Sequence, residues 1–316
     1  MTSIDVQNLS KEYGGRRAVD RLAFRVEPGR VTGFLGPNGA GKSTTMRLAL
    51  GLSRPTSGRV LIGGRPYASY DEPLRQVGAL LDPQAAHGAR TAHAHLRMLA
   101  AANRIPVRRV DEVLAQVGLA AVARRRVRTY SLGMRQRLGV AAALLGDPAV
   151  VLLDEPANGL DPEGIVWMRE LLRDLARAGR TVFVSSHLMN ETASLADHLV
   201  VLGRGRLLAD TSLTDFIAAY SSPGAQVRTT EQPRLHEALA RAGHTYTVSG
   251  DGDRTLVGAP AAAVGALAAE AGIPVLELGD THASLEQAYL ALTAADTEYT
   301  QHVEYTQHTT TPAQEA

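Results

Sequence analysis

The sequence predicts an α/β fold: a mostly parallel sheet covered by helices on both faces, followed by a small α+β domain. Three observations carry this reading. Short apolar runs of strand length alternate with helix-length segments between residues 31 and 196. Ahead of them, residues 1–30 alternate apolar and polar side chains (Ile4, Val6, Leu9; Leu22, Phe24, Val26), the pattern of half-exposed antiparallel strands. Beyond Ser221-Ser222-Pro223-Gly224, which reads as a linker, the text runs strand, helix, strand, strand, helix, strand.

Taken in order, Val31–Leu35 is a short buried strand, and a helix begins at Thr45–Leu52. Val60–Ile62 is a further strand and Gly63-Gly64 a hairpin turn. Val77–Leu81 is short and buried. Residues 91–126, rich in Ala and Leu at helical spacing, predict a helical insertion within about 83–130. Leu132–Leu145 reads as a helix, Val150–Leu153 as a buried strand, Pro162–Ala178 as a helix, Thr181–Ser185 as a strand and Leu188–Ala196 as a helix. The second domain, 221–295, is predicted with strands at 225–229, 244–248, 254–257 and 274–278 and helices at 232–242 and 259–271. That order is ferredoxin-like; a last helix spans 283–293. Residues 296–316 are polar and repeat Glu-Tyr-Thr-Gln-His at 298–302 and 304–308, so disorder is expected.

Composition narrows the function classes. The 316 residues, 45% apolar, suffice for a large domain with an appendage. A formal charge of +1 gives no reason to invoke nucleic acid. Without cysteine there are no disulfides and no thiolate metal sites. The N-terminus carries no secretory apolar block, and the longest apolar run, Leu138–Leu153, is broken by Asp147-Pro148, so no membrane span is expected. Lys11 and Lys42 are the only lysines in an Arg-rich chain. The run Arg124-Arg125-Arg126-Val127-Arg128 suits either an anionic surface or a solvated helix end. His93 and His95 point apart on a helix, which argues against a metal site there.

Gly36-Pro37-Asn38-Gly39-Ala40-Gly41-Lys42-Ser43-Thr44 fits the pattern G-x-x-x-x-G-K-[ST] between a strand and a helix. Glycines let successive N–H groups turn inward around phosphate oxygens, and the helix N-terminus adds positive potential. Lys42 would reach the terminal phosphates and Ser43 would offer its hydroxyl to Mg²⁺. The buried strand Val150–Leu153 ends in Asp154-Glu155. Asp154 there can hold Mg²⁺ through water, and Glu155 is placed to polarise an attacking water.

On these motifs residues 3–218 resemble the nucleotide-binding subunits of ABC transporters, P-loop NTPases. Tyr130–Leu138 resembles the family signature L-S-G-G-Q-x-Q-R-V: Ser131, Gly133, Gln136 and Arg137 are identical, and Tyr130 and Leu138 stay apolar. Tyr13 lies where the family carries an aromatic that stacks on adenine. Asn158-Gly159-Leu160-Asp161 resembles the loop that touches a facing subunit, and His187 matches the switch histidine that contacts the γ-phosphate. The resemblance implies ATP and Mg²⁺ held between two copies of the chain, with Ser131 and Gly133 of one closing on nucleotide at Lys42 of the other. It implies further a separate membrane permease, a peripheral place on the cytoplasmic face, and no nucleic-acid partner. The Tyr-Ser-Leu-Gly-Met text is similar to the drug-resistance (daunorubicin-type) exporter branch.

Two departures stand out. Leu132 replaces the second signature glycine. The expected glutamine-loop position falls on Asp82, while a glutamine stands at Gln84, so either is a possible metal-side ligand. A soluble ATPase of the same superfamily, uncoupled from transport, is the alternative; a single cassette and the lack of a heptad run between Lys42 and Ser131 argue against it.

Overall fold

The computed structural model describes residues 2–187, 189–220, 224–249, 252–281 and 285–294. Two compact units emerge, Met1–Ala219 and Tyr220–Ala316. The predicted tail at 296–316 and most of the predicted linker lie outside the described residues; Gly224 already opens a strand.

The first unit begins with strands β1 (Ile4–Tyr13), β2 (Arg16–Val26) and β3 (Val31–Leu35), then helix α1 (Lys42–Ala49) and strand β4 (Ser57–Ile62). A single turn α2 (Pro73–Gln76) and strand β5 (Val77–Leu80) follow. The helical insertion consists of α3 (Ala92–Ala102) and α4 (Arg108–Gln116). Then come α5 (Leu132–Leu144), β6 (Val150–Asp154), α6 (Pro162–Arg177), β7 (Thr181–Ser186) and α7 (Met189–Leu195). The unit closes with β8 (His198–Gly203), β9 (Arg206–Ser212) and α8 (Leu213–Tyr220). The last three elements were not among the sequence predictions, and α1 starts earlier than predicted, with Lys42 itself.

Six strands form one sheet in the order β5-β6-β7-β3-β8-β9, parallel except for the β8–β9 pair. Three more form an antiparallel sheet, β2-β1-β4. Phe24, Phe34 and Phe183 bind the two sheets together, with ring centroids 4.8–5.9 Å apart in tilted pairs. The other face of the large sheet is covered by α5 and α6, through Leu138, Val140, Met168 and Leu172, all buried. Trp167 is partly buried against that core, and the Arg137 guanidinium stacks 4.2 Å from its ring.

The second unit holds β10 (Gly224–Thr229), α9 (Gln232–Arg241), β11 (Tyr246–Val248), β12 (Thr255–Val257), α10 (Ala261–Glu270), β13 (Val275–Thr281) and α11 (Leu285–Ala294). The sheet order β11-β12-β10-β13, antiparallel throughout, is the ferredoxin-like arrangement. Alternation in β10 buries Ala225, Val227 and Thr229, while Gln226 and Arg228 face away. Arg228 and Arg254 both pair with Glu277 on that opposite face.

Candidate functional site

The β3–α1 loop is built around a backbone that only glycine tolerates at one critical place. Gly41 has φ 105°, and a Cβ there would stand 2.6 Å from the Ala18 carbonyl oxygen. Ala40 donates its N–H to Pro37, tightening the turn. No side chain caps α1, so its first N–H groups remain available to an anion. A cleft of about 230 Å³ opens there, lined by Pro37, Asn38, Gly39 and Gly41 through Thr44, with Ala18 and Glu155. Gly36 and Ala40 form the loop's inner wall: Ala40 is buried, and the Gly36 carbonyl accepts from Lys42 Nζ at 2.6 Å.

Lys42 is buried, at 6% exposure. Burial lowers its ammonium below the ordinary lysine value, and the charges of Glu155 and Asp154 pull it back up. Its nitrogen lies 3.7 Å from Glu155 Oε1. The other oxygen of the same carboxylate, Oε2, lies 2.6 Å from His187 Nδ1. Glu155 therefore stands between Lys42 and His187, three residues drawn from a helix start, a strand end and the loop after β7.

The β strands explain why these ends meet. β7 lies between β3 and β6, so Asp154 is two strand spacings from β3, roughly 10 Å. Ser185, on the intervening strand, donates its hydroxyl hydrogen to Asp154 Oδ1. Glu155 follows with φ 51°, a left-handed conformation unusual outside glycine. Its N–H points at Ser185, 3.2 Å from the carbonyl and 3.0 Å from the hydroxyl oxygen. The Glu155 carbonyl accepts from Gln136 Nε2 at 3.1 Å. Neither Gln136 nor Ser185 was given this place from sequence.

Ser131 caps α5, accepting from the Met134 N–H at 3.2 Å. The N–H groups of Leu132 and Gly133 thus open the helix, outside the lining of the Lys42 cleft. Gly133 backs onto the Gly159 carbonyl, and Leu132, 49% exposed, lies over Gly159. Asp161 caps α6, its Oδ1 accepting from Gly164 at 2.9 Å. Tyr13 ends β1 with its ring half-exposed and the Lys11 ammonium 4.7 Å above it. Asp82 and Gln84 are exposed and absent from the described lining of the cleft. Asp82 folds into its own turn, accepting from the Gln84 N–H at 2.8 Å.

No cluster of three or more His, Cys, Asp or Glu able to hold a metal occurs among the described residues. Around the cleft the chain offers oxygens instead, the Ser43 hydroxyl and the Asp154 carboxylate. That set suits a hard cation which keeps most of its waters and takes other ligands from phosphate. A glycine loop with a buried lysine, facing a carboxylate at a strand end, defines a P-loop nucleotide hydrolase. Comparison with known proteins carries this to the family. The ABC transporter model matches residues 19–158, and a domain of unknown function matches 223–286. A bacitracin transport ATP-binding protein of Bacillus licheniformis is 42% identical over 212 residues, 66% of this chain and 69% of that protein. A daunorubicin resistance ATP-binding protein of Streptomyces coeruleorubidus is 34% identical over 307 residues, 93% of this chain and 97% of that protein. A solved structure of an ATP-binding subunit of an ABC transporter superposes with TM-score 0.62 at 28% identity, covering 69% of this chain and 92% of that one. The chain belongs to the ABC transporter ATP-binding family, and its activity is ATP binding and hydrolysis.

Proposed function

We propose that this chain drives export of an antibiotic or related hydrophobic compound through a separate integral membrane permease, working at the cytoplasmic face as a pair of identical subunits. The observation that carries the catalytic reading is the Glu155 carboxylate held between Lys42 and His187. The export reading rests on relatives described as bacitracin transport and daunorubicin resistance proteins, the latter alike over nearly the whole chain. Among the described residues no helix is long and apolar enough to cross a membrane, so the permease is a separate polypeptide in this reading.

The geometry supports the following residue roles in this reading. The N–H groups at the start of α1 and the Lys42 ammonium bind the phosphates, with Gly36, Pro37, Asn38, Gly39, Ala40 and Thr44 shaping the loop. Tyr13 offers an exposed aromatic face to the base. Ser43, and Asp154 through water, would hold Mg²⁺, which would supply positive charge beside the phosphates. Glu155 accepts a hydrogen bond from the attacking water and aligns it with the γ-phosphorus. His187 steadies both that carboxylate and the γ-phosphate. Ser131 and Gly133, at the α5 N-terminus of the second copy, close the site from the far side, and Asp161 lies on the loop that faces that copy. Nucleotide held by both copies favours the closed pair, and hydrolysis removes that preference.

Expression of the chain with its membrane-protein partner tests this reading. The expected result is Mg²⁺-dependent ATP turnover and co-purification with a protein of about six membrane spans. Failure to co-purify with any membrane protein, or association with ribosomes or DNA, overturns it in favour of a soluble ATPase.

A further inference from the structure

Glu155 holds a backbone conformation that a non-glycine residue keeps only when its surroundings over-determine it. Two groups do so. Ser185, on β7, receives the Glu155 N–H. Gln136, on α5, donates to the Glu155 carbonyl. The first is a neighbour within the sheet. The second crosses from the helix whose N-terminus carries Ser131.

Gln136 is an odd residue to bury for packing alone. It is 1% exposed, and its Oε1 has no hydrogen-bond partner. A buried, unsatisfied amide oxygen is costly, and leucine of similar size would avoid that cost. The amide is retained with only its donor engaged, and that donor meets the residue placed to orient water. The same helix touches the loop after Glu155 a second time, where Gly133 and Leu132 pack on Gly159 and Leu160. The first two turns of α5 therefore hold the segment Glu155–Leu160 at both ends.

We propose that Gln136 is a positioning residue: it ties the signature helix to the Glu155 peptide, so that nucleotide bound across the interface at Ser131 sets Glu155 in the chain's own site. The inference rests on the proposed pairing of two copies. When the α5 N-terminus engages phosphate on the facing subunit, the Gln136 bond carries that placement to the Glu155 carbonyl. The φ of Glu155, and with it the direction of its carboxylate, follows. Each site then reports its occupancy to the water-orienting residue of the other.

The test uses the full chain and ATP, with Gln136→Leu, Gln136→Met and Glu155→Gln assayed side by side. Leucine and methionine both remove the donor at similar volume, one branched and one unbranched. Expected for both Gln136 variants is a kcat lowered at least tenfold with the KM for ATP within about threefold, and an ATP-dependent dimer that accumulates as it does for Glu155→Gln. The melting temperature of Gln136→Leu should stay within a few degrees of that of the unsubstituted chain, since losing the orphaned Oε1 offsets losing the donor to the Glu155 carbonyl. Should leucine at 136 disturb folding, the unbranched Gln136→Met carries the same kcat comparison. A kcat within twofold of the unsubstituted chain in a folded Gln136 variant overturns the proposal, as does a parallel loss of ATP binding. Glu155→Gln separates the two levels: near-normal turnover in that variant sinks the catalytic reading itself, whereas its inactivity beside an active Gln136→Leu sinks only the positioning role.

Discussion

Leu132 occupies the space that a side chain on Gly159 would fill: a Cβ built at Gly159 would lie 2.2 Å from Leu132 Cδ2. The leucine that replaces a signature glycine thus has a local partner. Its side chain lies across the loop that follows Glu155, at a residue with φ 76°. Gly159→Ala should lower stability by about 1–2 kcal/mol from backbone strain, plus the collision with Leu132. Adding Leu132→Ala should recover the collision part only. A double-mutant cycle by chemical denaturation should show coupling of about 1 kcal/mol; strict additivity would mean the two residues do not meet.

Lys42 carries a charge that the fold pays to bury. Because burial depresses its proton affinity, the protonated form is disfavoured in the folded chain, and stability should rise as pH climbs towards the ordinary lysine value. Lys42→Met removes that cost. Near neutral pH its melting temperature should not fall below that of the unsubstituted chain, while its affinity for ATP drops at least about tenfold, the scale of one charge-assisted contact. Fluorescent-nucleotide titration beside a thermal melt checks both. A variant that melts early yet still binds ATP would contradict the assignment.

His95 provides a pH signal outside the site. It is buried on α3, its Nδ1 lacks a partner, and burial followed by the nearby Arg90 charge lowers its proton affinity. The unfolded chain therefore binds the proton more readily, so stability is lost as pH falls below about 6.5. His95→Leu should flatten the stability profile between about pH 6.5 and pH 5 and leave ATP turnover at neutral pH within about twofold. An unchanged acid slope in urea titrations would refute this reading.

Most of the architecture was legible because local signals carried it. The apolar runs at Val31–Leu35 and Val150–Leu153 and the Pro-started helix at Pro162 write their elements into short windows. The ferredoxin-like order of the second unit was legible for the same reason. Strand order was not, since periodicity says nothing about neighbours far apart in sequence. The insertion of β7 between β3 and β6 is what brings Ser185 to Asp154 and His187 to Glu155. β9 (Arg206–Ser212) alternates only weakly and buries no residue fully, whereas β8 carries the apolar run Leu199–Leu202, as strong a strand signal as Val150–Leu153. Gln136 was read as a signature identity, but its contact with Glu155 joins residues 19 apart on a helix and a strand end. Nothing in Asp154-Glu155 as text signals a left-handed backbone at the second residue. The glutamine-loop question took its shape from counting positions, whereas Asp82 is occupied with its own turn.

In the proposed mechanism the Glu155 carboxylate, between Lys42 and His187, orients the water that attacks ATP. Steady-state ATP turnover of Glu155→Gln, measured on the full chain with Mg²⁺, tests it most directly. Glutamine keeps the side chain's size and much of its hydrogen bonding but is a far poorer acceptor for the water proton. Turnover is expected to fall at least about 100-fold, with ATP still bound and the paired form accumulating. Turnover close to that of the unsubstituted chain would contradict it.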